Sequence, residues 1–488
     1  ADTVAPAVGV AVTAAAALLS LLAVPAVLRD SGMRLQSRAT WISALDVHWR
    51  LGVDGISLPL VLLTTLLTLL CAASLLRGGG PTGPGRRNLV ALLLLLEAGV
   101  LGTFLALDLV LFFLFFELVL IPMWFLVAEW GDPHDRAGRR RAATVFLLLT
   151  VLGSAVMLVG FLLVHAATGT FDVLALARRG GAGMTAQTQL LAALAIGLGL
   201  AVKAPLWPLH IWLPDAHAKA PTVGSVLLAG VLLKMGTYGL VRVWLPVVPE
   251  GARQVAPYLA CLAAVGIVYG ALACLAQTDL KRLVAYSSVG HMGFVLLGVA
   301  TLTPVGINGA LLANIAHGVI TGLLFFVVGA IKDRHGDAGL AAVGRGLYGR
   351  SPRLAGVLAV GAMASLGLPG LAGFWGEMLA LLGAFDPAPG LPRTTFLVCM
   401  VAGGVGAVLT AAYFVQVLRR VCQGEPTEVR AASSNGPGPA AEATRHELAV
   451  WAPLVLLSVV LGLAPQLVLG VVDPAVQGLI GALGGGVR

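Results

Sequence analysis

Apolar runs of about 20 residues recur along most of this 488-residue chain, and their length constrains its fold more than any other feature. A helix of that length crosses the ~30 Å hydrocarbon layer of a membrane. An open sheet could not satisfy its backbone in lipid, and the alternating pattern of a membrane barrel is absent. With 58% hydrophobic and 11% charged residues and a mean hydropathy of +0.94, the chain is predicted to be an all-α polytopic membrane protein.

Thirteen spans are predicted, two of them interrupted, and no soluble domain remains between them. The polar segment 29–55, with Trp41 and Trp49, predicts an interfacial loop. The segment 423–446 is rich in Gly, Pro, Ala, Ser and Glu, which predicts a flexible loop. The spans cover residues 4–28, 56–77, 88–106, 108–128, 141–167, 188–213 (interrupted), 221–245, 256–275, 282–301, 304–331, 352–385 (interrupted), 393–421 and 447–472.

The basic residues are scattered over the loops, which argues against nucleic-acid binding despite a net charge of +8. Of the 31 Lys and Arg, 19 fall in loops on one side of the predicted membrane and 10 on the other, while two lie inside spans. Cytoplasmic loops are enriched in Lys and Arg, so the richer side is predicted to be cytoplasmic, with the N-terminus inside and the C-terminus outside. That side holds loops 77–87, 129–141, 214–220, 276–282, 332–353 and 419–446.

The five cysteines lie mostly inside apolar runs and form no CxxC pair. An iron–sulfur cluster, a zinc site and a disulfide framework are therefore not expected. No basic segment precedes the first apolar run, so a cleaved signal peptide is not expected either. The chain does not begin with Met, and we expect that a segment upstream was removed or left out.

The two interrupted spans occupy matching places in the chain. "KAPLWP" breaks the first and "LGLPGLAGFWGEM" breaks the second, and each is the fourth span in a group of five. Because five is odd, the second group would enter the membrane inverted, and inverted repeats place ion sites at broken helices near the midplane. The predicted division is 1–87 for N-terminal helices and the interfacial loop, 88–245 and 256–421 for the two halves, and 422–488 for the polar loop and C-terminal helix.

Ionisable residues occur at membrane depth, where each costs about 2.5–3.5 kcal/mol on insertion scales. Lysine, glutamate and histidine can change protonation near neutral pH once burial and neighbours act on them, whereas arginine stays charged. Acid, base and histidine on successive spans are what a proton path needs. Pro205 and Pro208 would loosen the helix beside Lys203, at the first break. The predicted proton-relay residues are Glu117, Lys203, Lys234, His291, His317 and Glu377, and Glu97 is a further embedded carboxylate.

Each of these residues also has a purely structural interpretation. Lys203 or Lys234 could snorkel to an interface, and a buried Glu–Lys pair could serve packing alone. A lone histidine on an apolar helix is usually a hydrogen-bonded core residue. The whole set, with two members at helix breaks, favours the proton path.

Four segments resemble the antiporter-like membrane subunits of respiratory complex I, which are related to subunits of Mrp antiporters and membrane hydrogenases. They are "LPDAHAKAPT", "GSVLLAGVLLKMGTYGL", "DLKRLVAYSSVGHMGF" and "LPGLAGFWGEM", and the resemblance covers nearly all of the chain from Asp54. The family has fourteen core helices, which implies one further span before the first and both termini outside. By this resemblance, Glu117 and Lys203 match the acid and the lysine of the family's first half. Lys234 matches the lysine that connects the two halves. His291 and His317 match the family's central histidines, and Glu377 matches the terminal residue of the second half.

The resemblance implies a proton-translocating subunit of an NADH:quinone oxidoreductase in a bacterial inner membrane. NADH, FMN, iron–sulfur clusters and quinone are then expected in partner subunits, with no cofactor or metal in this chain. The expected partners are lipid and the other membrane subunits, notably the antiporter-like subunits L and N, which usually carry Lys where this chain has Glu377. Two alternatives stay open: a subunit of an Mrp-type Na⁺/H⁺ antiporter, and a structural spacer without an ion path.

Overall fold

The computed structural model describes residues 4–29, 32–76, 84–425 and 442–485, which form a bundle of long helices. Residues 426–441 of the predicted flexible loop and 77–83 of the loop before the third span lie outside the described residues. The helices are α1 Val4–Leu22, α2 Val24–Leu28, α3 Leu58–Ser74, α4 Pro84–Leu105, α5 Leu109–Leu118, α6 Leu120–Trp130, α7 Arg136–Thr168, α8 Val173–Arg179, α9 Ala186–Lys203, α10 Leu213–Lys219, α11 Thr222–Val247, α12 Pro249–Leu275, α13 Leu280–Ala300, α14 Pro304–His335, α15 Leu340–Val343, α16 Leu347–Arg350, α17 Pro352–Ser365, α18 Gly373–Phe385, α19 Arg393–Val421, α20 Arg445–Leu463 and α21 Gln466–Gly485.

All thirteen predicted spans are helical. Within the described residues, eleven helices are long and apolar enough to cross a membrane. The two remaining predicted spans are α3 and the interrupted pair α17 and α18, which are shorter apolar helices. One predicted span, 447–472, is wrong as a single helix. The structure divides it at Pro465, because proline lacks the amide hydrogen needed to continue the helix, and α21 begins at the next residue.

Residues 29–55, predicted as a loop, contain an antiparallel hairpin of strands β1 Arg34–Ile42 and β2 Val47–Val53. Nearly all of β1 is exposed, so this strand lacks the apolar alternation by which a half-buried strand is recognised. The hairpin is fixed to the bundle where the Arg50 guanidinium pairs with Asp172, the N-cap residue of α8. It marks one end of the bundle, called here the hairpin end.

Loops that were predicted to share one side of the membrane meet at the opposite end of the bundle, called here the basic end. The Asp132 carboxylate accepts a hydrogen bond from Lys332 at 3.2 Å and lies 3.7 Å from the Lys219 ammonium. Arg282 pairs with Asp215 at 2.7 Å. Which end faces the cytoplasm stays a prediction. These contacts join loops 129–141, 214–220, 276–282 and 332–353.

Helices α11 and α14 form the centre of the bundle and are buried over the whole of their apolar stretch, whereas most other long helices expose half or more of theirs. They approach closely at Gly230 and Gly318, since a Cβ atom added to Gly318 would lie 2.8 Å from the Gly230 carbonyl oxygen. Small residues allow such close approach of helices in membranes. Lys234 lies one turn beyond Gly230, and His317 adjoins Gly318, so this contact brings the two ionisable side chains together.

Both predicted helix breaks are present. The first separates α9 from α10, and the second separates α17 from α18. In each predicted group of five spans, three spans precede the broken one. The third span packs against the broken span in both groups: α7 packs against α9, and α14 packs against α17 and α18. The further division into inverted halves at 88–245 and 256–421 stays a prediction.

Candidate functional site

Lys203 is the last residue of α9 and stands at the first helix break. Pro205 and Pro208 have no amide hydrogen, so carbonyl groups in the last turn of α9 lose their helical partners. One of these carbonyls, that of Val202, accepts a hydrogen bond from the Trp212 indole nitrogen at 3.1 Å. The break is therefore held by a side chain from the segment that follows it.

The Lys203 ammonium is buried among aromatic rings. The side chain is 1% exposed, and its Nζ lies 4.8 Å from the ring centre of Phe116 and 5.9 Å from that of Phe146. No described residue hydrogen-bonds to this nitrogen. Lys234 is 0% exposed. Snorkelling of either lysine to an interface, which the sequence left open, is therefore excluded.

Glu117 lies in the last turn of α5 and is half-buried. Its charged neighbour is Lys203, and Ser154 of α7 lies beside its carboxyl group. In the described part of the chain, its Oε1 atom has no hydrogen-bond partner and no ion pair within 4.0 Å links it to Lys203. The first half thus holds an acid and a base that face each other without direct contact.

Lys234 contacts His317 at the centre of the bundle. The Lys234 Nζ lies 2.5 Å from His317 Nδ1 and donates to the Ala229 carbonyl at 2.5 Å. The Ala229 carbonyl is free because the segment Leu228–Leu232 is a π-helix. The Leu233 amide there donates to the Leu228 carbonyl, five residues earlier, and not to that of Ala229. An ammonium group can only donate, so an ammonium at Lys234 requires Nδ1 to be unprotonated. A single proton on either of the two nitrogens satisfies this contact.

His291 continues the series towards the second break. Its ring centre lies 5.7 Å from that of His317, and its Nδ1 lies 2.7 Å from Glu377 Oε1. Its other nitrogen, Nε2, lies 2.8 Å from the Ser365 hydroxyl at the end of α17. A cavity of about 20 Å³ touches these four side chains and is large enough for one water molecule.

Glu377 is held in place by the geometry of the second break. Gly367 and Gly370 have φ values of +80° and +93°, which side chains with a Cβ atom rarely adopt. They turn the chain so that α18 returns against the end of α17. The neighbours of Glu377 in the sequence are apolar, but His291 on the adjacent helix α13 reaches its carboxylate.

The structure therefore brings four of the six predicted residues into one series of neighbouring side chains and keeps the other two as a separate pair. No hydrogen bond between described residues joins the pair to the series. Helix α11 nevertheless packs directly on the end of α9, where a Cβ atom added to Gly236 would lie 2.6 Å from the Leu200 carbonyl oxygen. The series runs Lys234, His317, His291, Glu377, and the pair is Glu117 and Lys203.

Two polar residues near the series were not selected from the sequence. Ser365 precedes the break motif in "MASLGLPG", and its position before a proline and two glycines is the signal that could have found it. His217 stands in the quoted "LPDAHAKAPT" and is 0% exposed. Glu97 is 5% exposed with one oxygen unpartnered among the described residues, and no contact joins it to the series.

No metal ligand set is found in the part of the chain that the structure describes, because no group of three or more His, Cys, Asp or Glu side chains converges there. The five cysteines are free thiols. The chemistry that the described side chains offer is proton transfer between carboxyl, ammonium and imidazole groups.

Broken apolar helices that carry buried acids, lysines and histidines define a multi-pass membrane protein of the antiporter-like class. The chain belongs to the NADH:quinone oxidoreductase/Mrp antiporter transmembrane family, whose model matches residues 106–410. It is 41% identical to NADH-quinone oxidoreductase subunit M of Rhodobacter capsulatus over 92% of this chain and 85% of the relative. It is 34% identical to subunit M of Rickettsia prowazekii over 91% of this chain and 86% of the relative.

Solved structures have the same fold. A chain of respiratory complex I from Thermus thermophilus with bound NADH matches with a TM-score of 0.85 and 30% identity, over 98% of this chain and 95% of that chain. A chain of the Mrp complex from Dietzia sp. DQ12-45-1b has the same TM-score at 23% identity, over 98% and 94%. The second match shows the shared fold alone.

Proposed function

We propose that this chain is a proton-translocating subunit of a bacterial NADH:quinone oxidoreductase. One observation carries the proposal: groups that can each gain or lose a proton lie next to one another from Lys234 to Glu377. Lys234 Nζ lies 2.5 Å from His317 Nδ1, the rings of His317 and His291 have their centres 5.7 Å apart, and His291 Nδ1 lies 2.7 Å from Glu377 Oε1. The names of the relatives support the same assignment.

In the second half, each group can pass a proton to the next. Lys234 donates to His317 Nδ1 and becomes a neutral amine, while His317 releases a proton from Nε2, which has no partner among the described residues. The small cavity between the two histidines has room for one water molecule to bridge them. From that water the proton passes through the Ser365 hydroxyl to His291 Nε2, and His291 releases a proton from Nδ1 to Glu377.

In the first half, Glu117 and Lys203 act as a coupled pair. A proton on Lys203 stabilises the ionised carboxylate, and loss of that proton removes the stabilisation. Because no ion pair between described residues fixes the charge of either group, a change in the charge of one alters the proton affinity of the other. Lys203 also stands at a break next to α11, so its charge acts on the helix that carries Lys234.

In this proposal the redox chemistry belongs to partner subunits. NADH, FMN, iron–sulfur clusters and quinone are bound elsewhere in the complex, and this chain contributes proton transfer as one subunit of the enzyme. Its partners are the other membrane subunits, and we assign direct contact to the antiporter-like subunits L and N.

The test is NADH-driven proton uptake by membrane vesicles that contain the assembled complex. We expect Lys234→Ala and Glu377→Gln to lower pumping by about 100-fold, the typical contribution of one positioned proton-transfer group. Glu129→Gln is the control, because this carboxylate is exposed and pairs only with the exposed Arg140 among the described residues. Wild-type pumping in Glu377→Gln would contradict the proposal and favour the structural spacer.

The Mrp-type antiporter is the second candidate, since the family model includes Mrp antiporters and the Dietzia complex shares the fold. It predicts Na⁺-driven proton exchange without NADH. Vesicles in which a Na⁺ gradient drives proton movement that Lys203→Ala abolishes would favour it. NADH-driven pumping that is unchanged by removal of Na⁺ would contradict it.

A further inference from the structure

Lys234 lies on a short stretch of regular α-helix inside α11, the residues Leu233–Gly239. A π-helical segment stands on either side of it, Leu228–Leu232 before it and Leu240–Trp244 after it. A π turn takes up one extra residue, so it changes the direction of the side chains that follow by about 100° relative to a regular helix. The direction in which Lys234 points therefore depends on what holds this stretch against its neighbours.

A hydrogen bond between side chains joins this stretch to α14. Thr237 lies one turn after Lys234 on α11, and its hydroxyl donates to Asn314 Oδ1 at 3.0 Å, across 77 residues of sequence. Asn314 lies one turn before His317 on α14. Both Thr237 and Asn314 are fully buried, so bulk water does not compete for this bond. The bond, called here the polar clamp, joins the two helices one turn from the contact of Lys234 with His317, called here the central contact.

The polar clamp can form with either orientation of its amide. The Thr237 hydroxyl carries one hydrogen but faces a second acceptor, the Lys234 carbonyl, at 3.2 Å. The Asn314 amide nitrogen is buried and has no partner among the described residues. If the amide turns by 180°, this nitrogen donates to the Thr237 oxygen, and the hydroxyl donates to the Lys234 carbonyl. The clamp therefore joins α11 to α14 in both orientations.

The glycine contact on the other side of the central contact does not replace the polar clamp. Gly230 and Gly318 bring the backbones of α11 and α14 close together. They have no side chains that interlock, so this contact does not fix the rotation of α11. A buried polar pair is a well-attested means of fixing the register of packed helices. Rotation of the short stretch by one residue would turn Lys234 by about 100°, away from α14.

We propose that Thr237 and Asn314 are positioning residues for proton transfer at the central contact. The inference rests on the proposed function and deepens it by assigning what keeps Lys234 within reach of its partner. Neither a hydroxyl nor an amide takes up or releases a proton here. Their hydrogen bond fixes the rotation of the short stretch, so that the Lys234 nitrogen stays at the 2.5 Å distance from His317 Nδ1. Proton transfer requires donor and acceptor to lie within hydrogen-bond reach.

The test replaces Thr237 by two residues that differ in the hydroxyl. We expect Thr237→Val, which has a similar shape without the hydroxyl, to lower NADH-driven pumping about three- to fifteenfold, the range that one side-chain hydrogen bond between membrane helices is worth. Thr237→Ser keeps the hydroxyl and should pump like wild type. Thr103→Val is the matched control, because Thr103 is also fully buried but its hydroxyl bonds only the Gly99 carbonyl of its own helix, at 2.9 Å.

Two further measurements separate positioning from packing. Asn314→Leu should lower pumping as much as Thr237→Val, and the double variant should be no worse than either single one, because both changes remove the same bond. Pumping for each assembled complex is also compared in H₂O and D₂O. A misplaced Lys234 slows the proton-transfer step itself, so the isotope effect should rise in Thr237→Val. Disturbed packing that only reduces the amount of intact complex would leave the isotope effect unchanged.

The outcomes separate this inference from the proposed function. Loss of pumping in Lys234→Ala together with wild-type pumping in Thr237→Val would overturn the positioning role alone. Wild-type pumping in both variants would overturn both. Equal loss in Thr237→Val and Thr237→Ser, or a loss that disappears when pumping is divided by the amount of assembled complex, would show that the side chain serves packing. Either result would also overturn the positioning role, as would an unchanged isotope effect in Thr237→Val.

Discussion

The two helix breaks of this protein hold ionisable residues of opposite kind in opposite surroundings. At the first, the Lys203 ammonium lies near two phenylalanine rings, with no hydrogen-bond partner among the described residues. At the second, the Glu377 carboxylate is hydrogen-bonded to a histidine that is itself bonded to Ser365. The first site is a charge in apolar surroundings, and the second is one end of a hydrogen-bonded network.

The difference shows how similar helix breaks can do different work. A group without a fixed partner responds strongly to any charge that approaches it, because little solvent or polar protein screens the interaction. A group in a network exchanges its proton with its neighbours and responds less to distant charges. The first site is therefore suited to sensing a charge and the second to passing a proton on.

Among the further changes that test this comparison, the largest effect is expected at the first break, and it equals the loss expected for Lys234→Ala and Glu377→Gln. Lys203→Ala should lower pumping and coupled NADH oxidation by about 100-fold with assembly intact, and Lys203→Arg should be nearly as damaging, because arginine keeps its proton. Glu117→Ala should have a similar effect, and the double variant should be no worse than either single one. Proton uptake in vesicles and the amount of assembled complex are the measurements. Normal pumping in Lys203→Ala would show that the lysine at the first break is not needed for proton translocation, and would contradict the role given to it here.

A smaller loss is expected when the group at the second break is exchanged for another that titrates. Glu377→Asp should keep part of the pumping, although its shorter side chain lengthens the 2.7 Å contact to His291. Glu377→Lys should also keep part, because the Lys234–His317 contact shows that a lysine and a histidine can pair in this bundle. Vesicle pumping is measured beside Glu377→Gln. If all three variants are equally inactive, the site requires more than a titrating group.

Ser365→Ala should have a moderate effect. It removes the hydroxyl bonded to His291 Nε2, and one such hydrogen bond is worth about 1 kcal/mol, or about fivefold in the rate of proton transfer. Ser458→Ala is the matched control, because Ser458 is also fully buried but its hydroxyl has no partner among the described residues. Equal pumping by the two variants would show that the ring of His291 needs no such support.

The smallest effect is expected from the surface cluster at the basic end. Burial would raise the pKa of Asp132, but a backbone hydrogen bond from His134 and the nearby Lys332 and Lys219 outweigh it and hold the pKa below its usual 3.8. Burial would lower the pKa of Lys219, but Asp135 and Asp132 outweigh it and raise the pKa above 10.5. The cluster therefore holds its charges across the neutral range.

The sign of the pH dependence follows from these two shifts. The lowered pKa of Asp132 gives stability that is complete above pH 3.8 and lost as the pH falls through the folded-state value, and the raised pKa of Lys219 gives stability that is complete below pH 10.5 and lost above it. Lys219→Gln should cost less than about 1 kcal/mol, because the cluster is partly exposed. Thermal unfolding should show a constant difference from wild type between about pH 5 and pH 9. A difference that changes steeply within that range would contradict the assignment.

Span length and residue type let the sequence predict the helices and the two breaks. Proline and glycine act locally, so "KAPLWP" and "LGLPGLAGFWGEM" mark the breaks without knowledge of the fold. The hairpin β1–β2 was not predicted, because strand pairing in an exposed segment leaves little apolar pattern. The end of α20 was misplaced although Pro465 was visible, because the apolar run continues across it.

By itself the sequence determined which side chains are ionisable, that they lie at membrane depth, and which of them stand beside a break. Only the tertiary structure decided which of them meet. His291 and Glu377 are 86 residues apart, and Lys234 and His317 are 83 apart, so no local pattern predicts either contact. The contacts depend on how closely α11, α13, α14 and α18 approach, and that distance is set by glycines and small side chains packed between helices that are far apart in the chain.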